Sequence, residues 1–360
     1  MDFGLSHEQL LLQESVHRLL GDVSTLERVR DFAVNDEPRV TDIWAATCAL
    51  GIAGLIIDER FGGSGLSMVD AALVAECLGN HVAPIPYLAT SIIAPLAIQL
   101  AGSEQQRAEY LPKLAAGDLI LGAAFAEHCG AREDARIEFA NGHLQGRGLF
   151  VLDFEAAAYV VADQCGRLAL VRAEAAGLER RDLITIDKTR RVGELKFNHV
   201  PAELLPHSER TNYVPTLLDH ARVMLAADTL GAAQFMLDRA VAYAQEREQF
   251  GRVIGSFQAV KHMCAEMAAA LEPARAMVWY AAHALQSLPS EASMMACHAK
   301  AHLAEIGKAV AKTATEVHGG IGFTELYGLP YWFKRIGFNR QIFGSPEYLR
   351  NEAARVQRLV

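Results

Sequence analysis

The hydrophobic period of this chain changes twice along its length, and that limits the fold more than any single residue does. From Pro206 onward apolar residues recur at helical spacing, in long segments near 213–249, 256–286, 289–318 and 330–358. Long helices with short connections make an antiparallel bundle. Between about Leu119 and Leu205 the pattern shortens. The stretches 119–125, 136–139, 148–152, 158–161, 168–171, 183–186 and 193–197 read as short strands, punctuated by Gly, Asn and Asp. Many short strands at close spacing predict a small β-barrel or sandwich. Ahead of them, residues 5–116 read as short amphipathic helices. Ser6 before Glu8-Gln9 is a helix start, and Leu10, Leu11, Val16, Leu19 and Leu20 follow at near-helical spacing. Glycines break the chain in the stretch 58–65, helices follow at 68–78 and 91–100, and Ser103-Glu104-Gln105-Gln106 opens another that ends near Ala116-Gly117. The expected fold is mostly α with a central β-domain: an N-terminal helical domain over 1–117, a middle β-domain over 118–206 and a C-terminal helical bundle over 207–360.

A formal charge of −9 provides no basic face, so nucleic acid is not an expected partner, although a local basic site could still hold a small anion. Abundant Ala within a 51% hydrophobic composition favours helix. The six cysteines, Cys48, Cys77, Cys129, Cys165, Cys264 and Cys297, form no CxxC pair or His/Cys cluster, so neither a zinc site nor a disulfide framework is expected. The first residues carry acids and lack an apolar signal core, and runs such as 91–102 are too short to span a bilayer. A cytoplasmic protein without membrane insertion is expected.

Two stretches of the bundle carry groups suited to an anionic ligand. The first is Gln245-Glu246-Arg247-Glu248-Gln249-Phe250-Gly251, followed by Ile254 and Phe257-Gln258. A guanidinium offers phosphate a planar fork of donors and stays charged. Gly251 lets the chain turn between helices, and Gln258 can donate and accept. On its own, Arg247 would read as a surface arginine pairing with Glu246 or Glu248. The second stretch is Glu316-Val317-His318-Gly319-Gly320-Ile321-Gly322-Phe323, whose glycines permit close backbone approach to a ligand. A lone GGxG can also be only a helix C-cap.

Together with the tail over 316–350, these stretches resemble the acyl-CoA dehydrogenase family, flavoproteins that desaturate acyl-CoA thioesters. Leu50-Gly51-Ile52-Ala53-Gly54-Leu55, Phe61-Gly62-Gly63-Ser64-Gly65 and Tyr110-Leu111-Pro112-Lys113-Leu114-Ala115-Ala116-Gly117 are similar to further family segments. The resemblance covers essentially the whole chain and implies the helical, β, helical architecture read above. It also implies that Arg247, Gln249, Phe250, Gln258, Glu316, Gly319 and Gly320 contact an FAD held by a neighbouring subunit. Glu316 departs from the pattern, since family members often carry Gln there, and an acid near an anionic cofactor is unfavourable unless it meets a ribose hydroxyl.

Other positions depart further. The family's YEGT, whose Glu is the usual catalytic base, aligns with Ile342-Phe343-Gly344-Ser345, which puts Phe343 at the base position. Some members place the base on a bundle helix just before an Arg. Here that segment is Asp219-His220-Ala221-Arg222, with Ala221 at the base position and Arg222 retained as a substrate contact. Asp219 sits about 200° around a helix from Ala221 and so points elsewhere, and Glu347 lies one turn beyond Phe343. The flavin loop TEPGAGSD aligns with Ala126-Glu127-His128-Cys129-Gly130-Ala131-Arg132-Glu133, where the hydroxyl donors are gone. The loop KxWIT/SN aligns with Gly148-Leu149-Phe150-Val151-Leu152-Asp153, where Phe150 replaces Trp and Leu152 the hydroxyl residue. His128 and Cys129 read as structural. No residue of this chain is therefore expected to act as catalytic base.

The parts that would serve a neighbour's flavin persist, while those serving the chain's own flavin and base are degraded. The resemblance then implies the non-catalytic subunit of a heteromeric α2β2 dehydrogenase, like actinobacterial enzymes acting on CoA thioesters of steroid side chains and other bulky acyl groups. A related subunit would carry the base and share its FAD with this chain, which alone would be inactive. An electron-transfer flavoprotein is the expected oxidant. A self-sufficient homotetramer with an unconventional base and a flavin-free scaffold or regulatory subunit compete with this reading.

Overall fold

The computed structural model describes residues 4–35, 40–129 and 135–359. Among the described residues, six α-helices precede the sheet: α1 (His7–Val23), α2 (Leu26–Asn35), α3 (Thr41–Ala49), α4 (Met68–Asn80), α5 (Ala94–Ala101) and α6 (Glu104–Ala116). Ser6, Ser67 and Ser103 each cap a helix, with Gln9, Asp70 and Gln106 reaching back to close the capping box. The helix expected over 91–100 begins earlier, as a π-helical stretch at Tyr87–Ile93 that runs into α5. From it Thr90 Oγ1 donates to the Leu121 carbonyl at 3.0 Å, joining helix to sheet.

Eight strands follow: β1 (Leu121–Ala124), β2 (Ile137–Ala140), β3 (His143–Leu152), β4 (Ala158–Ala162), β5 (Leu168–Arg172), β6 (Leu178–Asp182), β7 (Val192–Pro201) and β8 (Glu203–Leu204). Among the described residues they form one curled sheet of order β6-β7-β3-β1-β4-β5-β8, with β2 paired to β3. Only β1 and β4 run parallel. The strand expected at 183–186 lies instead at Leu178–Asp182. That strand is an edge, paired to β7 alone, and from Glu179 to Asp182 it is exposed and charged. Charge on an edge strand discourages pairing with another chain, and it also removes the apolar alternation that marks a strand. Residues 183–186 loop outward, with Ile184 94% exposed.

The bundle contains α7 (Val214–Glu246), α8 (Gln258–Ser287), α9 (Pro289–His318), α10 (Leu329–Gln341) and α11 (Pro346–Val356), with a small hairpin of β9 (Glu248–Gln249) and β10 (Arg252–Val253) between the first two. The single helix expected over 330–358 is broken at 342–345. Phe343 and Gly344 take φ of +57° and +115°, values a right-handed helix cannot pass through. Ser345 then caps α11 by accepting from the Tyr348 N–H at 3.3 Å.

One buried cation registers all three regions against each other. Arg335 of α10 donates to Asp228 of α7 at 3.1 Å, to Thr189 after β6 at 3.0 Å and to the Ala83 carbonyl at 3.0 Å, and it pairs with Asp187 at 3.1 Å. No described helix is long and apolar enough to cross a membrane.

Candidate functional site

Two concavities hold several of the residues singled out by the sequence. The first forms where α7 and α9 end side by side. Arg247 leaves α7 with extended φ and ψ of −73° and 124°. The β9–β10 hairpin then brings the chain back, so that the Ile254 N–H donates to the Arg247 carbonyl at 2.7 Å. Opposite, α9 stops at Gly319, whose φ of +63° and ψ of −142° belong to glycine territory. The cavity between them, about 520 Å³, is lined by Tyr243, Arg247, Gln249, Ile254 and 316–321.

The fold therefore brings together Arg247, Gln249, Glu316, Gly319 and Gly320. It leaves Phe250 and Gln258 outside this cavity. Phe250 is at the hairpin tip, 92% exposed, with its ring edge-on to Phe257 at 6.2 Å. Gln258 is the exposed first residue of α8. Sequence reasoning missed Tyr243, although it precedes Arg247 by one helical turn. Its ring stacks on His318 at 4.7 Å, and His318 contacts the Ala314 carbonyl at 2.7 Å and the Tyr327 hydroxyl at 3.1 Å. Burial lowers the His318 pKa, so this wall carries a neutral ring.

Arg247 pairs with neither Glu246 nor Glu248, nor with any other described residue. Glu316 faces Lys312 at 3.6 Å. A Cβ added at Gly319 or Gly320 would meet nothing within 4 Å, so a ligand can lie against this backbone. A free guanidinium, an open glycine backbone and two polar side chains fit a pyrophosphate flanked by sugar hydroxyls.

The second concavity, about 580 Å³, opens between the sheet and α10–α11. Phe150, Ile184, Ile186, Phe338 and Phe343 give it apolar walls, joined by Cys129, Gln341, Ser345 and Tyr348. Phe343 is only 2% exposed, and its left-handed φ is an outlier for a bulky residue. Two buried cations hold the turn from behind. Arg222 Nε donates to the Phe343 carbonyl at 3.2 Å, and Lys300 Nζ to the Gly344 carbonyl at 2.7 Å. Burial, reinforced by Arg222, pushes the Lys300 pKa down to about 7. Lys300 escaped the sequence reading; its signal was a lone lysine among the small and apolar residues and two histidines of 296–304.

The remaining candidates line neither concavity. Arg222, expected to contact substrate, is buried behind the turn. Its guanidinium also pairs with Asp219 at 2.9 Å and lies 3.8 Å and 3.9 Å from the Cys129 and Cys297 sulfurs. Ala221 is fully buried in the core. Asp219 is buried, which raises its pKa against the opposing pull of Arg222. Glu347 is on the outer face of α11, 3.4 Å from Arg340. Leu152 is buried opposite Ala123 within the sheet. His128, held neutral by burial, contacts the Asp163 carbonyl at 3.0 Å. Glu127 accepts from the Leu149 N–H at 2.5 Å, and burial pushes its carboxyl up to about 7. It does not line the cleft. Residues 130–133 of the same loop lie outside the described residues.

The chain thus offers two recesses, an open polar cradle on its bundle and an apolar cleft between sheet and bundle. The comparisons with known proteins are specific. Residues 6–118 match the acyl-CoA dehydrogenase N-terminal domain, and 211–357 match the C-terminal domain. Acyl-CoA dehydrogenase IpdE2 of Mycolicibacterium smegmatis is 31% identical over 98% of this chain and 100% of its own length. A solved structure of a Tcur3481-Tcur3483 steroid ACAD variant superposes with a TM-score of 0.89 at 29% identity, covering 98% of both chains. The ChsE4-ChsE5 complex from Mycobacterium tuberculosis shares the fold, with a TM-score of 0.90 at 24% identity over 100% of both chains. The chain belongs to the acyl-CoA dehydrogenase family, FAD-binding oxidoreductases that act on CH–CH bonds.

Proposed function

We propose that this chain is the non-catalytic subunit of a heteromeric α2β2 acyl-CoA dehydrogenase working in the cytoplasm, where it completes the FAD site of a related, base-carrying subunit. The observation that carries this reading is the buried Phe343 at the base position, its turn held by Arg222 and Lys300, in a chain whose Arg247 cradle remains open. The bound flavin would supply the hydride acceptor for desaturation between Cα and Cβ of the thioester. Arg247 would bind pyrophosphate oxygens through its free fork, with the Gly319-Gly320 backbone alongside. Gln249 would add a polar contact. Proton removal from Cα needs a carboxylate within hydrogen-bond reach. Phe343 and Ala221 cannot accept a proton, and Asp219 is engaged by Arg222, so that step falls to the partner. A paired designation and the word steroid attach to the Tcur3481-Tcur3483 relative, which supports a two-chain enzyme acting on a steroid-derived acyl-CoA. An electron-transfer flavoprotein would reoxidise the flavin.

The test is expression of the chain alone and with a related subunit bearing Glu at the position of Phe343. The lone chain should be colourless and inactive, and the complex yellow and active. In the complex, Arg247→Ala removes a charge-assisted contact worth about 1.5–3 kcal/mol, so FAD affinity should fall about 10- to 100-fold. A yellow lone chain that desaturates acyl-CoA would overturn the proposal. A lone chain that alters no partner's flavin content would instead favour the scaffold reading.

A further inference from the structure

We infer that Glu316 makes the cradle selective for an adenosine with an unphosphorylated ribose, so that FAD is held while the 3′-phosphorylated ADP end of coenzyme A is turned away. The inference rests on the proposed reading of the cradle as a dinucleotide site. Such selectivity answers a problem set by the substrate class. An acyl-CoA carries its own adenosine and pyrophosphate, and a free arginine beside an open glycine backbone would accept either molecule by those groups alone.

The geometry points to Glu316 as the group that separates them. Glu316 lines the same cavity as Arg247, Gln249, Gly319 and Gly320. It lies in the last turn of α9, where the helix dipole already presents negative charge, so helix stability does not account for an acid there. Its one described partner is Lys312, four residues earlier at 3.6 Å, too long for a hydrogen bond. Both oxygens thus keep acceptor capacity. A carboxylate accepts hydrogen bonds and donates none. It can take hydroxyl protons from a ribose diol, and it repels a phosphate ester at the same place. Dinucleotide folds divide the task in the same way, with an acid reading the free ribose hydroxyl and an arginine replacing it where that position is phosphorylated. If Glu316 were only a solvated helix acid paired with Lys312, it would contribute nothing to this choice.

The test uses the whole complex, stripped of FAD and titrated with FAD by flavin fluorescence, with ADP or 3′-phosphorylated ADP as competitor. Displacement of FAD reports only competitor at the cofactor site, whatever also binds where the substrate does. In the wild-type complex ADP should compete about tenfold better than its 3′-phosphorylated form, a ratio set by one close like-charge contact. Glu316→Gln keeps a hydrogen-bonding group without the charge, so FAD affinity should stay within about threefold while the ratio collapses toward one. An unchanged ratio in Glu316→Gln overturns the inference. The reading beneath it is judged separately through Arg247→Ala. If that variant weakens both competitors and the ratio still ignores Glu316, only the selectivity fails. If Arg247→Ala changes neither competitor, the cradle is not a dinucleotide site and both fall.

Discussion

The cradle at the end of α9 and the turn between α10 and α11 belong to one bundle, yet they are held in opposite ways. In the cradle, Arg247 and Glu316 are exposed and Gly319-Gly320 faces open space, so bonding capacity is left over. In the turn, Arg222 and Lys300 are buried and their donors are engaged by Asp219 and by the carbonyls of Phe343 and Gly344. Unused capacity at a surface marks a place meant to meet something else. Capacity turned inward marks a place kept for shape. The two regions are therefore held differently in this chain.

The contrast breaks most sharply at Arg222. Removing one member of a buried ion pair leaves the other uncompensated, at a cost of about 3–5 kcal/mol. Arg222→Ala strands Asp219 and frees the Phe343 carbonyl, and urea unfolding should show a loss of that size. Arg247→Ala, at an exposed and unpaired site, should lie within about 0.5 kcal/mol of the parent in the same assay. Similar losses from the two replacements would mean that the two regions are not held differently.

Much of this was legible in the sequence because the signals were local. The capping serines Ser6 and Ser103, the change of period near residue 119 and the clustering of Arg247 with Gly251 and Ile254 all act over a few residues. The misses were long-range. The break at 342–345 depends on a left-handed Phe343 held by side chains from α7 and α9, more than forty positions away for Lys300 and more than a hundred for Arg222. The strand β6 was hidden because an edge needs charge rather than apolar alternation. Arg222, expected to contact substrate, has its head buried against the 342–345 turn, a placement that residue type and helix position do not reveal. Phe250 and Gln258 match a motif, but the hairpin carries the one to its tip and the other to a helix start, both outside the cavity.

A second, smaller effect sharpens the contrast through pH. Behind the apolar cleft, burial raises the Glu127 carboxyl from 4.5 to about 7. The folded chain keeps this proton between those values while the unfolded chain releases it. The contribution of Glu127 to stability is therefore fully present below about 4.5, is lost as pH rises through about 7, and stays lost above it. The shift corresponds to at most about 3 kcal/mol. Glu127→Gln keeps an acceptor for the Leu149 N–H and should flatten the stability profile between pH 4.5 and 7, gaining most at pH 8. An identical profile in parent and variant would place the carboxylate in contact with water and end the claim that this wall is turned inward.

The smallest expected effects lie in the cradle, and there two adjacent glycines separate shape from contact. Gly319 has φ of +63°, whereas Gly320 lies outside the left-handed range, and neither has a neighbour within 4 Å of an added Cβ. Gly319→Ala should cost about 1–3 kcal/mol from backbone strain alone. Gly320→Ala should leave stability unchanged, since nothing in the chain opposes the methyl group. Its effect should appear only in the assembled enzyme, as lower FAD content, if the cofactor lies against this backbone. A Gly320→Ala complex with full flavin content and unchanged stability would show that the open space over the glycines is not where the cofactor sits, and the cradle would then differ from the turn in exposure but not in use.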